Sequence, residues 1–204
     1  GEAARLDVQQ WRARSSGLLT GIGTVLADDP RLSVRPPGPD VRQPLRVILD
    51  SALRMPPDAR VFDGAGEGGV WIFTACEDRQ RIAALTARGA RIEYAPGTAG
   101  TESATRVDIA RVLAILGKAG VNEVRVEAGA TLAGAMVQQH CVDGLLLYIA
   151  PLVLGESARG LMRLPEPLSL AQARRFEIFD SVAVGVDQRL RLRAQNRETA
   201  CSPG

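Results

Sequence analysis

The stretch VRVEAGATLAGAM, residues 124–136, contains the change from strand to helix that decides the fold. A short strand ends at Glu127, and Gly129 permits a tight turn before a helix predicted over residues 130–139. Unpaired N–H groups at a helix N-terminus favour a phosphate or pyrophosphate. A helix start rich in Gly and Ala is nevertheless more often explained by close packing of helix on sheet. The spacing matches neither the GxGxxG pattern nor a P-loop, since the P-loop Lys is absent.

Strands and helices alternate along the rest of the chain. Hydrophobic periodicity predicts helices over residues 3–15, 77–88, 107–117 and 130–139, and strands over residues 17–23, 45–49, 70–74, 91–94, 124–126 and 145–150. The last of these strands, LLLYIA, is apolar throughout, which predicts burial on both faces. Residues 174–183 and 188–194 predict a closing antiparallel hairpin. The sequence therefore predicts an α/β, three-layer fold, in which helices cover both faces of a mixed, mostly parallel sheet.

The composition is that of an ordinary globular domain. Of the 204 residues, 46% are hydrophobic and 24% are charged, which is enough for one domain with a sizeable core. Segments rich in Gly, Pro and acidic residues predict surface linkers at residues 36–44 and 63–69. The last residues, 195–204, are predicted to form a flexible tail.

Charge and reactive side chains exclude several classes of function. The net charge is +2 and no dense basic run occurs, so we expect no nucleic-acid partner. Three widely spaced cysteines, Cys76, Cys141 and Cys201, argue against a disulfide framework and favour a reducing, cytoplasmic location. The one histidine, His140, rules out a multi-histidine metal site within a single chain, and no metal is expected. No signal peptide or membrane-spanning stretch is evident, so no membrane partner is expected.

Acidic residues are predicted to share one crevice with Glu127. The motif TVLADDP, residues 24–30, follows the strand predicted over residues 17–23. Because the carboxyl ends of parallel strands meet at one edge of a sheet, Asp28 and Asp29 are expected to face the same crevice. An Asp-Asp-Pro sequence alone is more often a simple turn, and Glu127 alone is also compatible with a structural salt bridge.

Arginines and a serine complete the predicted rim of this crevice. Arg12 lies on the preceding helix, and Arg35 follows Asp28 by seven residues. Acidic groups inside and arginines outside suit a substrate with a polar head and a phosphate tail. Ser51 and Arg54, in DSALR, follow another strand, although a turn or a helix cap also explains Ser51.

Four segments, in their order and spacing, carry a resemblance to a known family. They are SSGLLTGIGTVLADDPRLSVR (residues 15–35), PLRVILDSALRMPPDARVF (44–62), VRVEAGATLAGAMVQQHCVDGLLLYIAPLVLG (124–155) and SARGLM (157–162). The chain closely resembles the reductase half of the bifunctional riboflavin-biosynthesis deaminase/reductase over about residues 3–194. The resemblance implies a dihydrofolate-reductase-like fold and a reductase domain that occupies residues 1–194.

The resemblance also implies a reaction and a set of binding residues. The reaction is the reduction, by NADPH, of the ribosyl side chain of 5-amino-6-(5-phosphoribosylamino)uracil to the ribitylamino form. The family's contacts to the cofactor fall on Thr24, Asp28, Ser51, Gly129, Ala130, Thr131, Leu132, Ala133, Gly134 and Ala135. Its contacts to the phosphorylated substrate fall on Arg12, Leu32, Arg35 and Glu127. Asp28 and Glu127 are implied at the reacting centre, while Asp29 and Pro30 shape the turn that aims Leu32 and Arg35.

The resemblance further implies elements that these residues do not contain. The family carries an earlier, central strand with a K-x-A-x-S-L-D-G pattern and a zinc deaminase half with H-x-E and P-C-x-x-C, none of which occurs here. We therefore expect native fusion to an N-terminal zinc deaminase domain and association into a homo-oligomer, and the activity of these residues alone stays open. Two alternatives also stay open: a related dihydrofolate-reductase-like enzyme for another pterin or pyrimidine, and a non-catalytic nucleotide-binding fragment. Arg12, Arg35 and Glu127 favour a phosphorylated substrate over dihydrofolate.

Overall fold

The computed structural model describes residues 1–35, 41–64, 68–164, 169 and 173–195. Most of the linker predicted at 36–44, the middle of the linker predicted at 63–69 and nearly all of the predicted tail therefore lie outside the described residues. The α-helices are α1 (Glu2–Arg14), α2 (Ile22–Asp28), α3 (Arg79–Ala87), α4 (Ile109–Lys118) and α5 (Ala130–Gln138). The strands are β1 (Gly17–Gly21), β2 (Leu45–Leu49), β3 (Val70–Thr74), β4 (Ala90–Tyr94), β5 (Val124–Val126), β6 (Gly144–Ile149), β7 (Phe176–Val184) and β8 (Asp187–Ala194). Across the described part of the chain, no helix has both the length and the apolar character needed to cross a bilayer.

Aspartate caps fix where two of the helices begin. The side chain of Asp78 accepts from the amide N of Gln80 and of Arg81 at the start of α3, at 3.0 and 3.1 Å. The side chain of Asp108 accepts from the amide N of Arg111 at 3.0 Å and starts α4 in the same way. These bonds satisfy donors that the first helical turn leaves without partners.

Five parallel strands form the main sheet, in the order β4-β3-β2-β1-β5. Leu18 and Leu19 of β1 are fully buried, because they point to opposite faces of the sheet and each packs in the core on its own face. Leu19 lies opposite Val47 of β2 and Val126 of β5. Parallel pairing places the carboxyl ends of all these strands at one edge, where ligands of open α/β sheets bind.

Helices cover both faces of this sheet and make three layers. On one face, Val25 of α2 and Leu85 of α3 pack against the strands. On the other face, Val112 of α4 and Met136 of α5 do so. The predicted α/β fold class, with helices on both faces and a C-terminal antiparallel hairpin, is confirmed. The single mixed sheet that was predicted is instead two sheets among the described residues, one parallel and one antiparallel, because β5 and β6 do not pair with each other.

The last three strands form a separate antiparallel sheet, in the order β6-β8-β7, whose hairpin β7–β8 is the one predicted. Among the described residues, β5 pairs with β1 alone and β6 pairs with β8 alone. Each of these two strands therefore keeps one open edge. A cavity of about 740 Å³ is lined by both open edges and separates the two sheets.

Two details of the predicted elements are wrong. The strand predicted over residues 17–23 ends at Gly21, because Ile22 and Val25 turn one apolar face of α2 onto the sheet. The motif TVLADDP therefore begins inside a helix rather than after a strand. The strand predicted at 145–150 is not buried on both faces: the residues of β6 are half-buried or exposed, because its outer edge borders the cavity.

Candidate active site

Glu127 is held where β5 ends, at the carboxyl edge of the main sheet. Its amide N donates to the carbonyl O of Leu19 at 2.9 Å, which extends the ladder between β1 and β5 by one residue. Its carbonyl O accepts from Oγ1 of Thr20 at 2.7 Å, and Thr20 is fully buried. Two contacts from β1 therefore fix the backbone of Glu127.

Arg12 and Glu127 form a two-pronged ion pair. Nε of Arg12 lies 2.8 Å from Oε1 of Glu127, and Nη2 lies 2.5 Å from Oε2. The Arg12 side chain is 14% exposed and the Glu127 side chain 25%, so solvent screens the pair only in part. The structure thus brings together two residues predicted for the substrate. A ligand at this edge meets one hydrogen-bonding pair rather than two isolated charges.

Arg12 also reaches the segment that follows α2. Its Nη1 donates to the carbonyl O of Ser33 at 3.1 Å. Further along the segment, Arg35 is exposed, whereas Leu32 is only 3% exposed and belongs to the hydrophobic core. Leu32 therefore offers a ligand little surface, and its φ of 47° shapes the turn that leads to Arg35.

The two aspartates of TVLADDP differ in their surroundings. Asp28 is exposed at the end of α2, one helical turn after the half-buried Thr24, so these two residues predicted for the cofactor share a helix face. Asp29 ends the helix with a φ of 39°, and its Oδ1 accepts from the amide N of Arg60 at 2.8 Å. The carboxylate of Asp29 is thus engaged in the turn, whereas the prediction had both acids facing the crevice.

Ser51 follows β2, and neighbouring segments use its polar groups. Its Oγ accepts from the amide N of Val107 at 3.0 Å, and its carbonyl O accepts from the amide N of Ala75 at 3.2 Å. Beside it, Asp50 is fully buried, and its Oδ2 accepts from the amide N of Met55 at 2.7 Å. Ser51 therefore joins three segments at the carboxyl edge.

The segment 129–135 is open at its start and covered further on. Gly129 precedes the first residue of α5 without a side-chain cap, and nothing lies within 4 Å of the position its Cβ would take. An uncapped helix start with open space beside it fits a diphosphate group. At Gly134, by contrast, a Cβ would lie 2.0 Å from the carbonyl O of Arg163. The crossing backbone of Arg163, rather than a ligand, explains why this position is a glycine.

The other residues of the segment 129–135 are likewise either open to a ligand or covered by neighbouring parts of the chain. Thr131 is exposed, and Ala130 accepts at its carbonyl O from the amide N of Arg163 at 2.9 Å. Leu132 and Ala135 pack against the core beneath α5, and Ala133 borders the cavity between the two sheets. The groups that α5 offers to a ligand are therefore concentrated in its first turn.

Several residues that shape this edge were not predicted from the sequence. Thr20 holds the end of β5, while Gln9 and Gln43 bind the backbone of the segment after α2. Arg46 is 1% exposed and donates to three backbone carbonyls, and burial lowers its pKa. The sequence could have indicated Arg46 as a buried cation, because this arginine lies inside the apolar strand LRVIL. Nothing in the local sequence around Thr20, Gln9 or Gln43 indicates their contacts.

The carboxyl edge therefore offers a carboxylate–guanidinium pair, an exposed acid, an exposed arginine and an uncapped helix start. Within the described ranges, no cluster of three or more His, Cys, Asp or Glu side chains is arranged to hold a metal ion. These groups suit an organic ligand that carries both hydroxyl groups and phosphate.

Comparison with known proteins identifies the family. The family model described as the RibD C-terminal domain matches residues 1–187. The chain is 39% identical over 200 residues to the riboflavin biosynthesis protein RibD of Escherichia coli (strain K12), covering 93% of this chain and 52% of that protein. It is 30% identical over 200 residues to the 5-amino-6-(5-phosphoribosylamino)uracil reductase of Buchnera aphidicola subsp. Acyrthosiphon pisum, covering 93% of this chain and 91% of that protein.

A solved structure shares both the fold and part of the sequence. Acinetobacter baumannii RibD superposes with a TM-score of 0.80 at 34% identity, over 96% of this chain and 51% of that one. The chain spans about half the length of several curated relatives that it matches. These similarities agree with the resemblance carried by TVLADDP and VEAGATLAGA. The chain belongs to the RibD C-terminal domain family.

Proposed function

We propose that this domain is the reductase that converts 5-amino-6-(5-phosphoribosylamino)uracil to its ribitylamino form with a hydride from NADPH. One observation carries the proposal: Arg12 links Glu127, next to the start of α5, to the segment that bears Arg35. That arrangement gathers groups for a hydroxylated, phosphorylated substrate and for a dinucleotide at one edge. The reductase name of the Buchnera aphidicola relative, of which the chain covers 91%, supports the same reaction.

The substrate side of the proposed site is built on charge-assisted hydrogen bonds. Glu127 accepts from hydroxyl or amino groups of the substrate, and Arg12 keeps the carboxylate oriented through its two-pronged contact. Arg35 is exposed and carries a planar guanidinium, which matches a phosphate with two parallel bonds. Leu32, which is buried in the core, supports the turn that leads to Arg35.

The cofactor side of the proposed site uses the first turn of α5 and the exposed face of α2. NADPH supplies the hydride when it is bound. The amide groups at Gly129, Ala130 and Thr131 would hold its diphosphate, and Thr24 and Asp28 would contact its remaining polar groups. Because hydride transfer needs no titrating side chain, the task of these residues is to hold donor and acceptor carbons in position.

We further propose that the cavity between β5 and β6 receives the central strand that the resemblance implies. Both bordering edges are open among the described residues, as an inserted strand requires. One face of the cavity is apolar, with Val124 and Val126 on β5. On the other face, Arg125 and Arg191 lie over the ring of Trp11 at 5.3 and 4.9 Å. A strand that alternates apolar and polar side chains satisfies both faces.

We also propose native fusion of this reductase domain, residues 1–194, to an N-terminal zinc deaminase domain, and self-association of the domain. The half-length coverage of Escherichia coli RibD supports the fusion. Exposed apolar side chains on β7, namely Ile178 and Val182, support a homo-oligomer. Analytical ultracentrifugation of the full-length protein tests the association, and a monomer at micromolar concentration contradicts it.

The activity is tested with the full-length protein, the candidate substrate and NADPH. We expect loss of NADPH absorbance that depends on the substrate, together with a product two hydrogen atoms heavier by mass spectrometry. Dihydrofolate serves as the comparison substrate. Turnover of dihydrofolate alone would support the related pterin reductase, and NADPH binding without any turnover would support the non-catalytic fragment.

The strand proposal is tested by adding the strand-bearing segment in front of these residues. We expect the extended protein to melt at a higher temperature and to turn over faster than the 204-residue chain. An extension of the same composition in scrambled order is the control, because it cannot present the alternating pattern. Equal melting temperatures for all three proteins contradict the proposal.

A further inference from the structure

We propose that Gln9 and Gln43 are positioning residues, which hold the backbone of residues 33–35 and thereby aim Arg35 at the substrate. The proposal rests on the proposed function, in which Arg35 contacts the substrate phosphate. Neither glutamine belongs to the residues assigned to the substrate or to the cofactor. Each makes its contact through a side-chain amide to the backbone.

The segment after α2, residues 29–35, contains no helix or strand of its own. Asp29 and Leu32 adopt positive φ values, 39° and 47°, which are unfavourable for residues other than glycine. A backbone of this kind persists only where its surroundings hold it. Its N–H and C=O groups also need partners that a regular ladder would otherwise supply.

Gln43 takes the place of a neighbouring strand for Val34. The amide N of Val34 donates to Oε1 of Gln43 at 2.9 Å, and Nε2 of Gln43 donates to the carbonyl O of Val34 at 3.3 Å. A primary amide offers one acceptor and two donors, so it can satisfy both backbone groups of one residue. Val34 is only 4% exposed, so this contact also holds a buried residue in place.

Gln9, on α1, holds the next residue. Its Oε1 accepts from the amide N of Arg35 at 2.9 Å. Gln9 lies three residues before Arg12 on α1, and residues at this spacing share a helix face. Nη1 of Arg12 donates to the carbonyl O of Ser33 at 3.1 Å. Side chains on one face of α1 therefore hydrogen-bond to the backbone of residues 33 and 35. Arg12 also hydrogen-bonds to Glu127. Glu127 and Arg35, the two groups proposed to contact the substrate, are therefore positioned by the same face of α1.

This arrangement predicts where the effect of each glutamine should appear. Fixing the backbone on both sides of Val34 fixes the direction in which the Arg35 side chain leaves the surface. Removal of the Gln9 acceptor should therefore weaken substrate binding by about 3- to 10-fold, the usual effect of one hydrogen bond. The rate at saturating substrate should change little, since Gln9 touches no reacting atom.

The experiment uses the full-length protein with Gln9→Leu, Gln9→Glu and Gln43→Leu. Gln10→Leu is the matched control, since Gln10 is the next residue on α1 and is exposed. We expect Gln9→Leu and Gln43→Leu to raise the substrate KM with the kcat and the NADPH KM unchanged. Gln9→Glu keeps the acceptor and should restore the substrate KM. In an Arg35→Ala background, Gln9→Leu should add no further rise, because the effect passes through Arg35.

Amide hydrogen exchange gives a readout that does not depend on turnover. Without any ligand, Gln9→Leu should speed exchange at Arg35, and Gln43→Leu should speed exchange at Val34, while Gln10→Leu changes neither. Unchanged exchange overturns the proposed contacts, even if the wild-type protein turns over no substrate. Faster exchange with an unchanged substrate KM, or an additive rise in the Arg35→Ala background, overturns the positioning role while the reductase assignment stands.

Discussion

Arg12 and Glu127, 115 positions apart in sequence, face each other through two parallel hydrogen bonds at the carboxyl edge of the main sheet. The pair joins α1 to the end of β5. Because Arg12 also holds the carbonyl O of Ser33, three separate segments meet at one guanidinium. The same group therefore serves both the architecture of the edge and the proposed substrate site.

Glu127→Gln separates those two roles. Gln keeps the shape and one acceptor for Arg12, so the fold should survive with a small change in Tm. The lost negative charge should lower kcat/KM for the substrate by about ten- to a hundred-fold, with NADPH binding retained. Steady-state kinetics and thermal melts are measured side by side. Full activity at an unchanged Tm would refute the substrate role, and parallel losses of Tm and activity would indicate a purely structural ion pair.

Arg35→Ala should raise the substrate KM and leave the NADPH KM near its original value. The side chain is exposed, so its removal leaves no cavity and the Tm should hold. Arg31→Ala is the control on the same segment, since Arg31 is 45% exposed and pairs with Asp63 at 3.5 Å. Loss of NADPH binding with retention of substrate binding would reverse our assignment of the two ligands.

NADPH should bind more tightly than NADH. Ser51 and the exposed Arg54 follow β2 at the edge where a 2′-phosphate could dock, and a hydrogen bond to a charged group contributes about 1.5–3 kcal/mol. Arg54→Ala should reduce this preference, and Arg111→Ala, an exposed arginine on α4, should leave it intact. Titration of each variant with both cofactors measures the ratio of the two Kd values. Equal Kd values in the wild-type protein contradict the choice of cofactor.

Gly134→Ala should lower the stability of the domain, whereas Gly129→Ala should weaken NADPH binding. A Cβ at position 134 meets the carbonyl O of Arg163 at 2.0 Å, so the crossing backbone must move, at a cost of about 1–3 kcal/mol in stability. A Cβ at position 129 meets nothing within 4 Å, so the Tm should not change. If the first turn of α5 holds the diphosphate, Gly129→Ala should weaken NADPH binding at constant Tm. Equal melting curves for the two variants would contradict the packing argument.

The stability of the domain should fall in acid partly through Asp7. Burial acts to raise the pKa of Asp7, but hydrogen bonds from Tyr148 and Arg189 outweigh it and hold this pKa below its usual value of 3.8. Because the folded pKa lies below the unfolded one, the stabilisation is present above about pH 4 and is lost as the pH falls through the folded pKa. The Asp7→Asn variant should therefore be less stable than wild type at neutral pH. The difference between their free energies of unfolding should become smaller below about pH 4.

Denaturant unfolding of Asp7→Asn across this pH range makes the measurement. Asp58→Asn is the control, because Asp58 is exposed. If the difference in free energy of unfolding between Asp7→Asn and wild type stays constant with pH, then Asp7 stabilises the fold without its charge.

Periodicity predicted the elements well where strands and helices are long, and less well where they are short. The apolar strands LRVIL and VWIFT and the helix predicted over residues 107–117, observed as Ile109–Lys118, were sufficient to predict a parallel α/β core. The seven-residue α2 was missed, because GLLTGIG is apolar and rich in glycine, which fits a strand and a helix start equally. Placement of Glu127 beyond a strand followed from the rule for parallel sheets.

Contacts between distant segments could not be predicted from local patterns. Neither Gln9 nor Gln43 stands out in its own neighbourhood, because a glutamine on a helix or in a linker is ordinary. Their partners lie 26 and 9 residues away, on a segment whose positive φ values no periodicity signals. At Gly134 the sequence leaves both close packing and a cofactor contact open, since it does not place the backbone of Arg163 beside this position.

The separation between Arg12 and Glu127 has a consequence for how the chain folds. Pairing of β1 with β5 joins residues 17–19 to residues 124–126, so the loop between them must close before the edge exists. Contacts so distant in sequence form slowly, after local helices and turns. The edge therefore assembles only when the sheet is complete, which requires the chain to have been synthesised through β5 and Glu127. A ligand that binds this edge would accordingly stabilise the whole sheet against global unfolding, and protection by the ligand would extend to amides in the core of β1.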